Sequence, residues 1–145
     1  MTPLGRIALI GNSLPRRCGI ATFTTDLQRA IASSRPNLAT SIVAMTDHGQ
    51  SYDYPDSVVL QIKDEAVDAY VRAAALLNAG RFDIACLQHE FGIFGGEAGC
   101  HILELLSRLT MPVVTTLHTV LAEPTAAQLA VMDRIVEMSA KIIAV

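Results

Sequence analysis

The stretch "RIALIGNSLPRRCGIATFTTDLQRAI", residues 6–31, reads as strand, loop and helix in quick succession. Residues 6–10 form a short, continuous apolar run closed by Gly11, and from Ile20 a helical stripe follows at Ile20, Phe23, Leu27 and Ile31. A strand apolar at successive positions belongs to a sheet buried on both faces, as in parallel sheets covered by helices. The loop between them sits where many nucleotide-binding folds keep a phosphate loop. It is not a Walker loop, because the spacing Gly-x-x-x-x-Gly and the following Lys are both missing. Nor is it a dinucleotide loop, because Gly11 and Gly19 are eight apart with Pro15 between them. What remains is more general. Gly19 lets a backbone approach a ligand closely, and the helix N-terminus beginning there offers free N–H groups and partial positive charge to an anion. Arg16 and Arg17 stand beside it as bidentate donors to phosphate or carboxylate. A glycine that only permits a turn, beside a solvated arginine pair, is the competing reading.

The same alternation runs through the rest of the chain. Residues 40–46 and 57–62 read as strands separated by the polar, turn-rich DHGQSYDYPD, a surface loop. Asp64 is placed to cap a helix with stripe Val67, Val71, Ala74 and Leu77, ended by Gly80. Residues 83–88 form a fourth strand, followed by a glycine-rich loop and a helix expected from about Glu97 to Leu109. Residues 112–118 form a fifth strand, Pro124 suits the first turn of a helix reaching Met138, and KIIAV begins a sixth strand. Strand–helix alternation with buried aliphatic strands predicts an α/β fold. Its form is a Rossmann-like, doubly wound parallel sheet in three α/β/α layers, with strand order 3-2-1-4-5-6. The last residues fall inside the sixth strand, which predicts a single Rossmann-like domain, 1–145, belonging to a longer protein.

Composition narrows the function. The 145 residues are 51% hydrophobic and 17% charged, with 11 basic against 14 acidic side chains and a formal net charge of −3. Nine of the basic residues are Arg and only Lys63 and Lys141 are Lys; no polybasic arm points to nucleic acid. Three cysteines without C-x-x-C spacing favour neither a disulfide framework nor a zinc knuckle, which predicts a reducing compartment. No run approaches the ~20 apolar residues of a membrane span, so the expected location is cytoplasmic, without a transmembrane segment.

In a doubly wound sheet, ligands bind beyond the carboxyl ends of the strands at the switch point. Three loops meet there: the opening loop, HEFGIFGGE (89–97) and HTVLAEP (118–124). They bring Gly19, His89, Glu90, Gly95, Gly96, His118 and Glu123 to one rim. Phe91 and Phe94, interleaved with Gly92, Gly95 and Gly96, make a mobile loop able to close on a ring, with capping of the core as the alternative. His118 is the candidate for hydrogen bonding or charge stabilisation, against a neutral structural role. The four histidines lack H-E-x-x-H spacing, so no metal site is expected. Cys18 lies on the rim without an evident base, and Cys86 reads as core.

The segments LPRRCGIATFTTDL, ACLQHEFGIFGGEAG and MPVVTTLHTV, in that order, resemble the N-terminal domain of retaining glycosyltransferases of family 4 (group 1), whose B-type fold sets two Rossmann-like domains across a cleft. The similarity covers nearly all of the chain. It implies that the parent protein transfers a hexose from a nucleotide diphosphate sugar to a carbohydrate or other hydroxyl acceptor with retention, without bound metal. It also implies that this chain is the acceptor-side half, inactive alone and binding no cofactor of its own, whose partner is a C-terminal donor-binding domain absent here. By the same resemblance Gly19 faces the donor phosphate or transferred sugar, His118 contacts the transferred sugar and assists at the transition state, and His89 and Glu90 look onto the acceptor pocket. Two features depart from the family. Its pair of glutamates eight apart is missing, since Glu90, Glu97 and Glu104 fall at intervals of seven, and Arg-Arg-Cys-Gly stands where many members carry a Gly-Gly pair. A non-catalytic Rossmann-like ligand-binding or regulatory module is the rival, and a nicotinamide oxidoreductase is disfavoured by the missing dinucleotide fingerprint. Uncovered apolar surface and the edge left by the sixth strand predict self-association of the fragment as a homo-oligomer.

Overall fold

The apolar runs become six strands, and the intervening helical stripes pack across them. The structure, a computed structural model, describes residues 2–145. Its elements are β1 (Arg6–Gly11), α1 (Gly19–Ser34), β2 (Ala39–Thr46), β3 (Val58–Lys63), α2 (Val67–Ala79) and β4 (Ile84–His89), then α3 (Ile102–Leu106), β5 (Val113–Leu117), α4 (Ala126–Met138) and β6 (Lys141–Ala144). All strand pairs are parallel and the sheet order is β3-β2-β1-β4-β5-β6. This is the expected Rossmann-like, three-layer order. The switch point lies between β1 and β4.

Coverage of the two faces is unequal. Ala8, Ile10, Val43, Met45, Ala85 and Leu87 pack under α2, α3 and α4 in the larger core, with Tyr70, Leu77, Ile102, Leu105 and Ile135. Ile7, Leu9, Ile42 and Ala44 form a smaller cluster with Leu27 of α1 on the other face. The reason is the β2–β3 connection, which carries no helix, so α1 alone serves the second face. Residues 47–56 are partly anchored rather than free on the surface: the Tyr54 hydroxyl lies 2.8 Å from Thr46 Oγ1.

Several local expectations are corrected. The helix foreseen from Glu97 to Leu109 is a 3₁₀ turn, Glu97–Gly99, followed by the five residues of α3. Ala98 at φ 53° and Gly99 at φ 72° are left-handed, which no continuous α-helix accommodates. Asp64 does not cap α2, whose N-cap is Ala66 without a side-chain bond, and its buried face is Ala69, Tyr70, Ala73, Ala74 and Leu77, leaving Val67 exposed. Pro124 precedes rather than enters α4, which starts with a capping box between Thr125 and Gln128.

Candidate functional site

The loop after β1 is held by its own side chains. Asn12 and Ser13 are fully buried. Asn12 Nδ2 donates to Cys18 Sγ at 3.2 Å, and Arg16 Nη1 donates to Asn12 Oδ1 at 3.0 Å. The same Nη1 lies 3.2 Å from Asp47 Oδ1 at the end of β2. Thr25 Oγ1 accepts from the Leu14 amide at 3.2 Å. Cys18 is the N-cap of α1, its sulfur accepting from the Ala21 amide at 3.4 Å, a role outside the usual Ser, Thr, Asp or Asn preference and not expected from the sequence. Arg17 is exposed and makes no ion pair among the described residues. Gly19 opens the helix, and a Cβ added there would meet nothing within 4 Å. The arginine pair therefore divides: Arg16 builds the loop and Arg17 is left to solvent.

Alternation along the strands sorts the next residues onto opposite faces. Gln88 pairs with Thr116 and His89 with Leu117, so Gln88 points to the α1 face and His89 to the α2–α3 face. The ladder continues one residue past β5, where the His118 amide donates to the His89 carbonyl at 3.0 Å. That places the His118 side chain on the α1 face with Gln88. His118 Nε2 lies 2.8 Å from Gln88 Oε1, and its ring meets that of Phe23 at 83° with centroids 4.7 Å apart. Burial holds the His118 pKa below the ordinary imidazole value, with the Glu90 carboxylate partly opposing it. His118 thus lies on the α1 side of the carboxyl ends, against Phe23, one turn along the helix that Gly19 opens.

His89 occupies a different environment. It is fully buried, its ring stacked on Phe94 with centroids 5.8 Å apart and perpendicular to Phe91 at 4.9 Å. Neither ring nitrogen has a hydrogen-bond partner. Burial, with His118 nearby, pushes its pKa down to about 4, so the ring is neutral at ordinary pH. Glu90 turns back on the chain, Oε2 accepting from the Gly92 amide at 2.9 Å. Phe94 is buried in the larger core and so caps it, whereas Phe91 is half-buried with its ring against His89.

Gly95 and Gly96 are built into the scaffold. The Gly95 amide donates to the Tyr70 hydroxyl at 3.1 Å, and that hydroxyl donates to the Asp64 carbonyl at 2.8 Å. Desolvation raises the Tyr70 pKa to about 12, which keeps the hydroxyl protonated for this bridge. A side chain at Gly95 would strike the Asp64 carbonyl, and one at Gly96 would strike His101 and Cys100. Neither glycine leads into a helix of useful length. Glu123 is exposed on the loop before α4. Sequence reasoning passed over Gln88, Asn12 and Phe23. The signal for the first two was a polar residue where an apolar strand meets its loop.

On the α4 side of the carboxyl ends lies an apolar groove of about 150 Å³ lined by Phe91, Leu117, Val120, Leu121, Leu129 and Met132 among others; His118 is not part of it. A wider depression of about 570 Å³ at Pro3, Leu4 and Arg35 is at the opposite, amino end of the sheet and holds none of these residues. Among the described residues no group of three His, Cys, Asp or Glu side chains is arranged to hold a metal ion. No helix among them is long and apolar enough to cross a membrane.

No protein-family model and no curated protein matches this sequence. Solved structures do show likeness. An alpha-glucosyltransferase in complex with UDP and a 13-mer DNA containing a central A:G mismatch superposes with a TM-score of 0.64 at 16% identity, over 96% of this chain and 36% of that one. The complex of an alpha-glucosyltransferase with UDP and a 13-mer DNA containing a HMU base gives 0.62 at 16% identity, over 96% and 37%. An alpha-glucosyltransferase in complex with UDP gives 0.60 at 17% identity, over 96% and 34%. At these identities the likeness is one of fold. The chain spans between 34% and 37% of the length of those proteins.

Proposed function

We propose that this chain is the N-terminal, acceptor-side Rossmann-like half of a retaining glycosyltransferase that moves a hexose from a nucleotide diphosphate sugar to a carbohydrate or other hydroxyl acceptor. The observation that carries the reading is the arrangement at the carboxyl ends of β1, β4 and β5. There His118, seated between Gln88 and Phe23, shares a rim with the open N-terminus of α1 at Gly19. The fold shared with UDP-bound alpha-glucosyltransferases supports it.

Sugar transfer requires a cradle for the leaving diphosphate, a polar partner for an oxocarbenium-like ring, and exclusion of water by domain closure. In this reading His118 is the catalytic partner of the transferred sugar. Gly19 gives its open backbone, and the free donors of Arg17, to the phosphate side, while Arg16 holds the loop in shape. Glu90 borders the acceptor, and His89, Gly95 and Gly96 support that wall from beneath. A C-terminal domain supplies the remaining diphosphate contacts. No residue here is assigned to a metal or to a resident cofactor.

The test is transfer from nucleotide sugars by the complete protein and its His118→Ala variant. Removing a group that stabilises developing charge should lower turnover by about 10²–10³-fold, with the thermal transition retained. Turnover equal to that of the unmodified protein would remove His118 from the site.

A further inference from the structure

Gln88 is 1% exposed, and its position depends on a glycine one strand away. A Cβ on Gly11 would sit 3.0 Å from Gln88 Cβ and 3.1 Å from Thr24 Oγ1. The bare end of β1 is therefore what lets Gln88 lie flat between β1, α1 and the end of β5. Thr24 cannot offer its proton to the carboxamide, because Thr24 Oγ1 donates to the Ile20 carbonyl at 2.8 Å. The Gln88 oxygen faces His118 Nε2 at 2.8 Å, and Phe23 fixes the ring plane.

A neutral imidazole carries one N–H, and the hydrogen bond made by one nitrogen decides what the other can do. We infer that Gln88 is a positioning residue: its Oε1 accepts from His118 Nε2–H and thereby leaves Nδ1 as a bare acceptor. A ring poised in this way recognises a ligand group that donates. The group at His118 is then a sugar hydroxyl and not a phosphate oxygen, which has no proton to give at neutral pH. Burial keeps His118 neutral, which the arrangement needs. The inference rests on His118 being the residue that meets the sugar, but the tautomer is a property of the free protein.

The experiment is long-range ¹H–¹⁵N correlation of the ring nitrogens in ¹⁵N-histidine-labelled protein at neutral to mildly alkaline pH, with His118 assigned by its loss in His118→Ala. His118 should appear as the Nε2–H tautomer. Gln88→Leu removes the acceptor, and the tautomer ratio should fall by about tenfold, the worth of one buried hydrogen bond. Gln88→Glu keeps an oxygen toward Nε2 and should retain the tautomer. If Gln88→Leu does not fold, the unmodified protein and Gln88→Glu still decide the matter. An Nδ1–H tautomer in the unmodified protein, or an unchanged ratio in folded Gln88→Leu, overturns the inference and leaves the transfer reading standing. Unimpaired transfer by His118→Ala does the reverse.

Discussion

The rings of Phe23 and His118 meet at 83° with centroids 4.7 Å apart, which ties α1 to the carboxyl end of β5 across the switch point. Phe23 is 39% exposed, so its contribution is local. Phe23→Ala should cost about 0.5–1.5 kcal/mol of unfolding free energy in a denaturant titration. It should also raise the His118 pKa toward the ordinary imidazole value, since burial is the main cause of its lowering. An NMR titration of the ring protons showing no upward movement would mean that Phe23 does not shield His118.

His89 should govern the acid limb of stability. Its folded pKa is about 4, against about 6.5 for an unfolded histidine. Above both values the ring is neutral in either state and contributes no pH dependence. Below about 6.5 the unfolded chain takes the proton first, so stability falls toward pH 4 by about 2–4 kcal/mol. His89→Leu removes both the titration and two unpaired buried nitrogens, and should flatten this limb while leaving stability at pH 7 equal or higher. Denaturation midpoints measured across the range check it, an unchanged slope being the contrary result.

Gly19 and Gly95 should respond in opposite ways to the same substitution. Gly19→Ala meets open space at a helix start and should leave stability equal or raise it by up to about 1 kcal/mol. Gly95→Ala drives a methyl group into the backbone carbonyl of Asp64 and displaces the Tyr70 bridge, and should cost at least about 3 kcal/mol, at the top of the range for single substitutions. Calorimetry of the two variants reads both outcomes. Because Gly19→Ala keeps the fold, any loss of sugar transfer it causes reports on the ligand's approach.

Arg16 and Arg17 should likewise separate. Arg16→Ala loses the contacts to Asn12 and Asp47 and should destabilise by about 1 kcal/mol, near the upper end for a partly exposed ion pair. Arg17→Ala should leave the melting temperature unchanged and weaken nucleotide-sugar binding to the complete protein in a salt-dependent way. Calorimetric titration at two ionic strengths measures the second effect. Equal behaviour of the two variants in both measurements would erase the division of roles.

Much of the fold was legible because it follows from patterns local in the chain. Apolar runs such as residues 6–10 and 83–88, alternating with helical stripes, leave few topologies once crossovers are right-handed. The third helix was misread because Ile102, Leu105 and Leu106 do face the core, while the positive φ at Ala98 and Gly99 is invisible in side-chain periodicity. Asp64 was misread for a related reason. Its carbonyl accepts from the Tyr70 hydroxyl, which also receives the amide of Gly95 from the distant loop after β4, and the helix starts from Ala66, two residues further on.

The sequence by itself determined a six-stranded parallel sheet in the order 3-2-1-4-5-6 and the three loops at its carboxyl ends, because burial periodicity and crossover handedness are set residue by residue. Only the tertiary structure decided which rim residues have a free side chain to offer. His89 and His118 look alike as letters, yet strand alternation sends one beneath Phe91 and Phe94 and the other to Gln88 beside Phe23. Arg16 and Arg17 are neighbours, yet one is tied to Asp47 and the other is not. Those differences arise from contacts between residues distant in the chain, and no spacing within one segment encodes them.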